Sequence, residues 1–216
     1  MNEQLAWYVA RASGIVALGI STLAVAWGLL FSTRLLQGRP SPKWLLDLHR
    51  FLGGLAVLFT AIHLGALVAD TYVTFGPSDL LVPFASAWQP EPVAWGIVTM
   101  YLLVAVEGTS LVMKRLPRRL WRAVHFGSYA MFWMGVIHGA RAGTDAGHIA
   151  YMAGSSAAVL AVVFITAYRV VAVRKSRRGR APGGSGPSGR GPSGLPAPPS
   201  PAAPRMATAL DSAAGG

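Results

Sequence analysis

The chain contains no cysteine. Disulfides, thiolate-bound haem, cysteine-ligated iron–sulfur clusters and thiol redox chemistry are therefore excluded from its own machinery. Charge is scarce as well. Asp, Glu, Lys and Arg make up 12% of the 216 residues, about half the share usual in soluble domains. Acidic side chains are the scarcest, at 8 against 19 basic ones, a formal net charge of +11. In a chain this apolar (53% hydrophobic), such an excess reads as a membrane-orientation signal and not as a nucleic-acid footprint. With thiols gone, the five histidines are the side chains left to bind a transition metal.

The apolar residues gather into five long runs: Ala12 to Thr33, Phe51 to Ala69, Val93 to Met113, Ala123 to Ala140 and Ile149 to Tyr168. A hydrocarbon core needs about 20 such residues. Buried helices of a soluble protein would show polar faces, which these runs lack. The expected fold is an all-α integral membrane bundle of five transmembrane helices, over about 8–33, 46–69, 93–113, 120–140 and 149–173. The opening MNEQLAWYVARASG has no basic n-region, so the first span reads as a retained helix and not a cleaved signal. Residues 1–175 form the membrane domain on this reading. Residues 176–216 turn to Gly, Pro, Ser and Ala, a composition with nothing to bury and expected to stay disordered. No nucleotide-binding fingerprint follows the membrane part, so a soluble electron donor would be a separate chain.

Lys and Arg set the expected orientation. Arg34, Arg39 and Lys43 occupy the first loop, Lys114, Arg115, Arg118 and Arg119 the third, and Arg174, Lys175, Arg177, Arg178 and Arg180 the last flank. The segment from Asp70 to Pro92 holds Asp70, Asp79 and Glu91 and no basic residue. The N-terminus is thus expected outside and the C-terminus in the cytoplasm of a plasma membrane. Segment 70–92 is expected to fold over the outer surface.

Four histidines fall at matched depths. His49 and His63 are fourteen residues apart on the second helix, which returns them to within about 40° of one face and separates them by about 21 Å. His125 and His138 are thirteen apart on the fourth, which runs in the same direction. Two histidines at each of two levels is the arrangement that two stacked bis-imidazole haems require. A lone histidine in a span is more often a packing residue, but four in matched pairs point to function. One feature resists: thirteen residues leave His138 about 140° from His125 on an ideal helix. Local tightening near Gly127 or Gly135, or haems gripped from different flanks, would reconcile it.

The stretches LHRFLGGLAVLFTAIH and LWRAVHFGSYAMFWMGVIH resemble the ferric reductase-like transmembrane domain. That family includes NADPH oxidases, eukaryotic ferric reductases and the bacterial haem subunit that partners a periplasmic methionine sulfoxide reductase. Its haem helices are similar in spacing their histidines thirteen or fourteen apart. The resemblance spans roughly Trp7 to Arg174, without the first of the usual six helices and without the FAD/NADPH domain of the oxidases. It implies a bacterial haem-only member that moves electrons across the membrane.

Several further side chains are candidates. Arg50 and Arg122 are placed for propionates of an inner haem, and Arg11 and Arg141 for those of an outer one, since guanidinium pairs well with carboxylate. Anchoring to lipid phosphates is the competing role. Glu107, the only carboxylate inside a span, suits proton movement, quinol binding, or a hydrogen bond to Ser110 or a neighbouring helix. His148 has no partner at fourteen and stays outside the ligand set. Met131 and Met134 read as packing, and Trp7, Tyr72, Trp88, Trp95 and Trp121 as an aromatic belt.

The sequence thus predicts a di-haem b-type cytochrome, the membrane haem subunit of an oxidoreductase system. His49/His125 would bind the inner haem and His63/His138 the outer. The donor would be a separate flavoprotein reductase or a quinol, with flavin or quinone entering only through that partner. An extracytoplasmic protein or a ferric chelate would be the acceptor. A non-redox haem- or metal-handling membrane protein and a structural membrane subunit are the alternatives.

Overall fold

The computed structural model describes residues 3–32, 42–71 and 73–178. Apolar runs unbroken by proline leave the backbone no better option than to satisfy its own hydrogen bonds, and the described residues are helical almost throughout. Five long helices form: α1 (Glu3–Ser32), α2 (Pro42–Ala69), α4 (Pro90–Leu111), α5 (Arg118–Ala142) and α6 (Ile149–Arg178). A short helix, α3 (Pro77–Leu81), lies between α2 and α4, and a 3-10 turn (Met113–Arg115) precedes α5. No strand occurs among the described residues. Prolines mark the starts, since a residue without an N–H loses nothing in a first turn. Pro77 opens α3, where the Asp79 carboxylate accepts from the Gly76 N–H at 2.8 Å. Pro90 opens α4 and Pro117 caps α5.

Four of these helices, α1, α2, α4 and α6, are long and apolar enough to cross a membrane. The fifth expected span, α5, is long but carries Arg118, Arg119, Arg122 and Arg141 together with His125 and His138, and composition alone does not qualify it. The large apolar side chains left outside the core, such as Leu160 and Phe164 of α6, are what a hydrocarbon environment asks for. Helix α6 continues to Arg178, past the expected end at 173. Residues 179–216 of the expected tail, with Arg34 and Arg39 of the first loop and Tyr72, lie outside the described residues.

Packing is organised in two helix pairs. Helix α1 lies along α2 and α4 along α5, while α1 also touches α5 and α6. Helices α2 and α5 barely touch each other. The Trp27 indole of α1 donates to the Leu45 carbonyl of α2 at 3.0 Å, fastening the first pair. The core is one layer: Val25 and Leu29 (α1), Ala56 (α2), Leu103 (α4), Met131 and Phe132 (α5) and Val162 (α6). Ala56 lies midway between His49 and His63 in sequence, and Phe132 near the midpoint between His125 and His138. Ala56, Met131 and Phe132 therefore fall between the two histidine levels.

Phe132, 1% exposed, is the largest fully buried side chain of that layer. Phe132→Ala is expected to cost about 3–5 kcal/mol through the cavity it leaves. Phe126→Ala, at a 53% exposed position of the same helix, is expected to cost far less. Denaturant titration of the purified protein in detergent compares them, and equal losses would contradict this placement of the core.

Candidate functional site: two facing histidine pairs

Imidazoles of α2 and α5 meet across the space between those helices at two levels. The His49 and His125 ring centroids are 6.0 Å apart with planes at 72°. Those of His63 and His138 are 6.3 Å apart at 77°. The pairing shows that α2 and α5 run parallel, as their even positions among the long apolar runs require. Helix α5 is α-helical without a break from Arg118 to Ala142, with no 3-10 or π turn at Gly127 or Gly135. Side-chain reach brings His125 and His138 to their partners.

Backbone carbonyls hold the second level. His63 Nδ1 is 2.7 Å from the Ala10 carbonyl of α1, and His138 Nδ1 is 2.8 Å from the Pro92 carbonyl of α4. A carbonyl only accepts, so both Nδ1 atoms carry the proton and both Nε2 lone pairs remain available. At the first level, His49 Nδ1 and His125 Nδ1 are buried without a hydrogen-bond partner. There Trp121 stacks on His125, with centroids 5.1 Å apart and planes at 25°. Trp121 was expected in an aromatic belt; its ring lies instead against a histidine.

A cavity of about 250 Å3 contains the second level. Its wall includes His63, His138, Trp7, Tyr151 and, from the segment between α2 and α4, Phe75, Leu80 and Trp88. That segment therefore does fold against this histidine pair. Phe75 and Trp88 meet edge to face at 6.0 Å.

Three of the four arginines have carboxylate neighbours, two of them distant in sequence. Arg11 lines the cavity, sits 4.0 Å over the Trp7 ring and is ion-paired with Asp145, its Nε donating at 2.8 Å. Arg141 pairs with Glu91. Arg50 lies 4.0 Å from Asp47, one turn back on α2. Arg122 lines a basic cleft with Lys114, Arg118 and Trp121. Glu107 does not take Ser110, whose hydroxyl donates to the Val106 carbonyl at 2.7 Å. Its carboxylate lies against Gly53 of α2, where a Cβ would displace it. His148 stands apart from both pairs and accepts from the Ala150 N–H at the start of α6. Met131 is core, as expected.

These features define an all-helical membrane protein with stacked imidazole pairs in its interior. A family model described as the ferric reductase-like transmembrane component matches residues 13–136, more than half of the chain. The chain belongs to that family, whose membrane domain serves transmembrane electron transfer. No individual curated protein and no solved structure matches it.

The Arg11–Asp145 pair is about a quarter exposed, whereas Arg141–Glu91 is more than half exposed. Exposed pairs couple by less than about 1 kcal/mol. A double-mutant cycle in detergent is expected to give a larger coupling for Arg11/Asp145 than for Arg141/Glu91. The reverse order would contradict the burial described here.

Proposed function

We propose that this protein is a di-haem b-type cytochrome that passes electrons across the plasma membrane. The observation that carries the reading is the pair of facing imidazoles repeated at two levels. A metal–imidazole bond is about 2.0 Å, and with the centroid about 1.1 Å beyond the nitrogen, rings on opposite sides of one metal stand about 6.2 Å apart. The separations of 6.0 and 6.3 Å agree with that figure. The donor set also suits haem. Among the described residues no cluster of three or more His, Cys, Asp or Glu side chains forms. A bare zinc-type site asks for four ligands, whereas a porphyrin brings four nitrogens and needs two axial imidazoles.

Haem iron supplies one-electron chemistry between its ferric and ferrous states. His49 and His125 are the ligands at the inner level, His63 and His138 at the outer. The gap between α2 and α5 is the space for the macrocycles, and the Phe132 layer separates the levels. Arg50 and Arg122 serve the inner propionates and Arg11 and Arg141 the outer, using guanidinium N–H groups beyond those engaged by Asp145 and Glu91. Helix α5 is the fifth crossing, since its two histidines reach both levels of α2. The charge asymmetry places the N-terminus outside and the C-terminus in a bacterial cytoplasm. Electrons enter from a separate flavoprotein reductase or a quinol and leave to an extracytoplasmic protein or a ferric chelate. The protein acts as the membrane haem subunit of an oxidoreductase system, and the tail from Ala181 onward is dispensable.

Pyridine haemochrome assay of the purified protein is expected to give two haems per chain. A value near one would remove one pair, and a value near zero would overturn the reading. His63→Ala is expected to abolish transfer to an outside acceptor while the inner haem stays reducible, and truncation after Arg180 to leave both unchanged. A reporter fused after Arg180 is expected to work only if it is active in the cytoplasm; a signal from a periplasm-only reporter would reverse the levels.

A further inference from the structure

A fourteen-residue repeat on α1 mirrors the one on α2. Gly14 and Gly28 are fourteen apart, as are His49 and His63, and the helices run antiparallel. A Cβ at Gly14 would lie 3.0 Å from His63 Nδ1, and one at Gly28 would lie 3.1 Å from His49 Cε1. Helix α4 repeats the device, with a Cβ at Gly96 falling 2.7 Å from His138 Cε1 and 2.8 Å from Nδ1. In each case the carbonyl facing the imidazole belongs to the residue four positions earlier: Ala10 before Gly14, Pro92 before Gly96, Ala24 before Gly28. The Ala24 carbonyl faces the His49 ring without closing a hydrogen bond. A helical side chain covers the turn on its N-terminal side, so a residue at i+4 shields the carbonyl of residue i. Glycine there uncovers it, leaving one lone pair for the helix and the other for a visitor.

We propose that Gly14, Gly28 and Gly96 are positioning residues. Each omits the one Cβ that would hold an imidazole of the neighbouring helix off a backbone carbonyl. At Gly14 and Gly96 the notch thereby determines which ring nitrogen carries the proton and turns Nε2 toward the facing histidine, while at Gly28 it only makes room for the His49 ring. His125 has no such notch. Gly108, twelve residues beyond Gly96 on α4, meets open space, and His125 rests on Trp121 with its Nδ1 unpartnered. The outer pair thus has a carbonyl bonded to each ring, whereas the inner pair has a notch beside one ring and a carbonyl bonded to neither. A hydrogen bond to the distal nitrogen orients a metal-binding imidazole and raises its basicity, so the levels differ in ligand as well as in position.

The inference rests on the di-haem reading, and the test separates the two. Full-length Gly14→Ala and Gly96→Ala variants are compared with Gly19→Ala, a site on α1 where a Cβ meets nothing within 4 Å. Alanine favours the helix at all three positions, so helix propensity alone predicts no loss. The expected result is a fall from two haems toward one in Gly14→Ala and Gly96→Ala, with the inner low-spin spectrum retained. Gly28→Ala is expected to disturb the inner spectrum, and Gly19→Ala neither. An unmodified protein that does not bind two haems would sink the di-haem reading itself. Two haems in the unmodified protein and an unshifted spectrum in Gly14→Ala, or equal loss in Gly19→Ala, would sink the notches alone. Should the alanine variants fail to accumulate, the reduced unmodified protein with 15N-labelled histidine decides. The Nδ1 protons of His63 and His138 are expected to exchange with deuterium about tenfold more slowly than that of His125, the factor of one ordinary hydrogen bond. Equal rates would overturn the assignment.

Discussion

An imidazole inside an apolar bundle must satisfy two demands at once. One nitrogen needs a hydrogen-bond partner, because an unpaired polar atom away from water is costly. The other must stay open if the ring is to bind a metal. In this chain both demands fall on α2 and α5, and the rest of the structure is arranged around them. Helices α1 and α4 lie on the outer flanks of that pair and supply carbonyls behind His63 and His138. The facing rings of His63 and His138 then line a cavity of about 250 Å3.

This division of labour explains features that packing alone does not. Any side chain at Gly14 or Gly96 would meet the histidine with its Cβ and push the ring out of line. The apolar layer of Ala56, Met131 and Phe132 lies between the two levels and keeps them apart. The His63/His138 level is closed by Arg11–Asp145 and by the segment carrying Phe75 and Trp88. The His49/His125 level lies beside a basic cleft lined by Lys114, Arg118 and Arg122.

The sequence made some of this plain and hid the rest for identifiable reasons. Histidines are rare and costly in apolar runs, so four at matched spacings stood out, and the parallel directions of α2 and α5 put them at matched depths. The thirteen-residue interval looked out of phase because an ideal wheel ignores side-chain reach; α5 stays continuous and both rings still face their partners. Long-range ion pairs left no local trace, so Asp145 beside Arg11 and Glu91 beside Arg141 emerged only with the fold. Glu107 was legible as unusual, but its contact with Gly53 depends on how α2 meets α4. Trp121 sits at a span end as belt tryptophans do, and only tertiary packing reveals the stack on His125. The repeat of Gly14 and Gly28 was visible in the sequence, yet glycines are frequent in membrane helices. Its meaning comes from the antiparallel match to His63 and His49.

The central claim is that two irons each sit between imidazoles whose planes are close to perpendicular, at 72° and 77°. Low-temperature electron paramagnetic resonance of the oxidised full-length protein tests it most directly, because the ligand planes control the anisotropy of low-spin ferric haem. The account predicts two strongly anisotropic low-spin signals of equal integrated intensity. Ordinary rhombic signals, as from parallel imidazoles, or a dominant high-spin signal from five-coordinate iron, would contradict it.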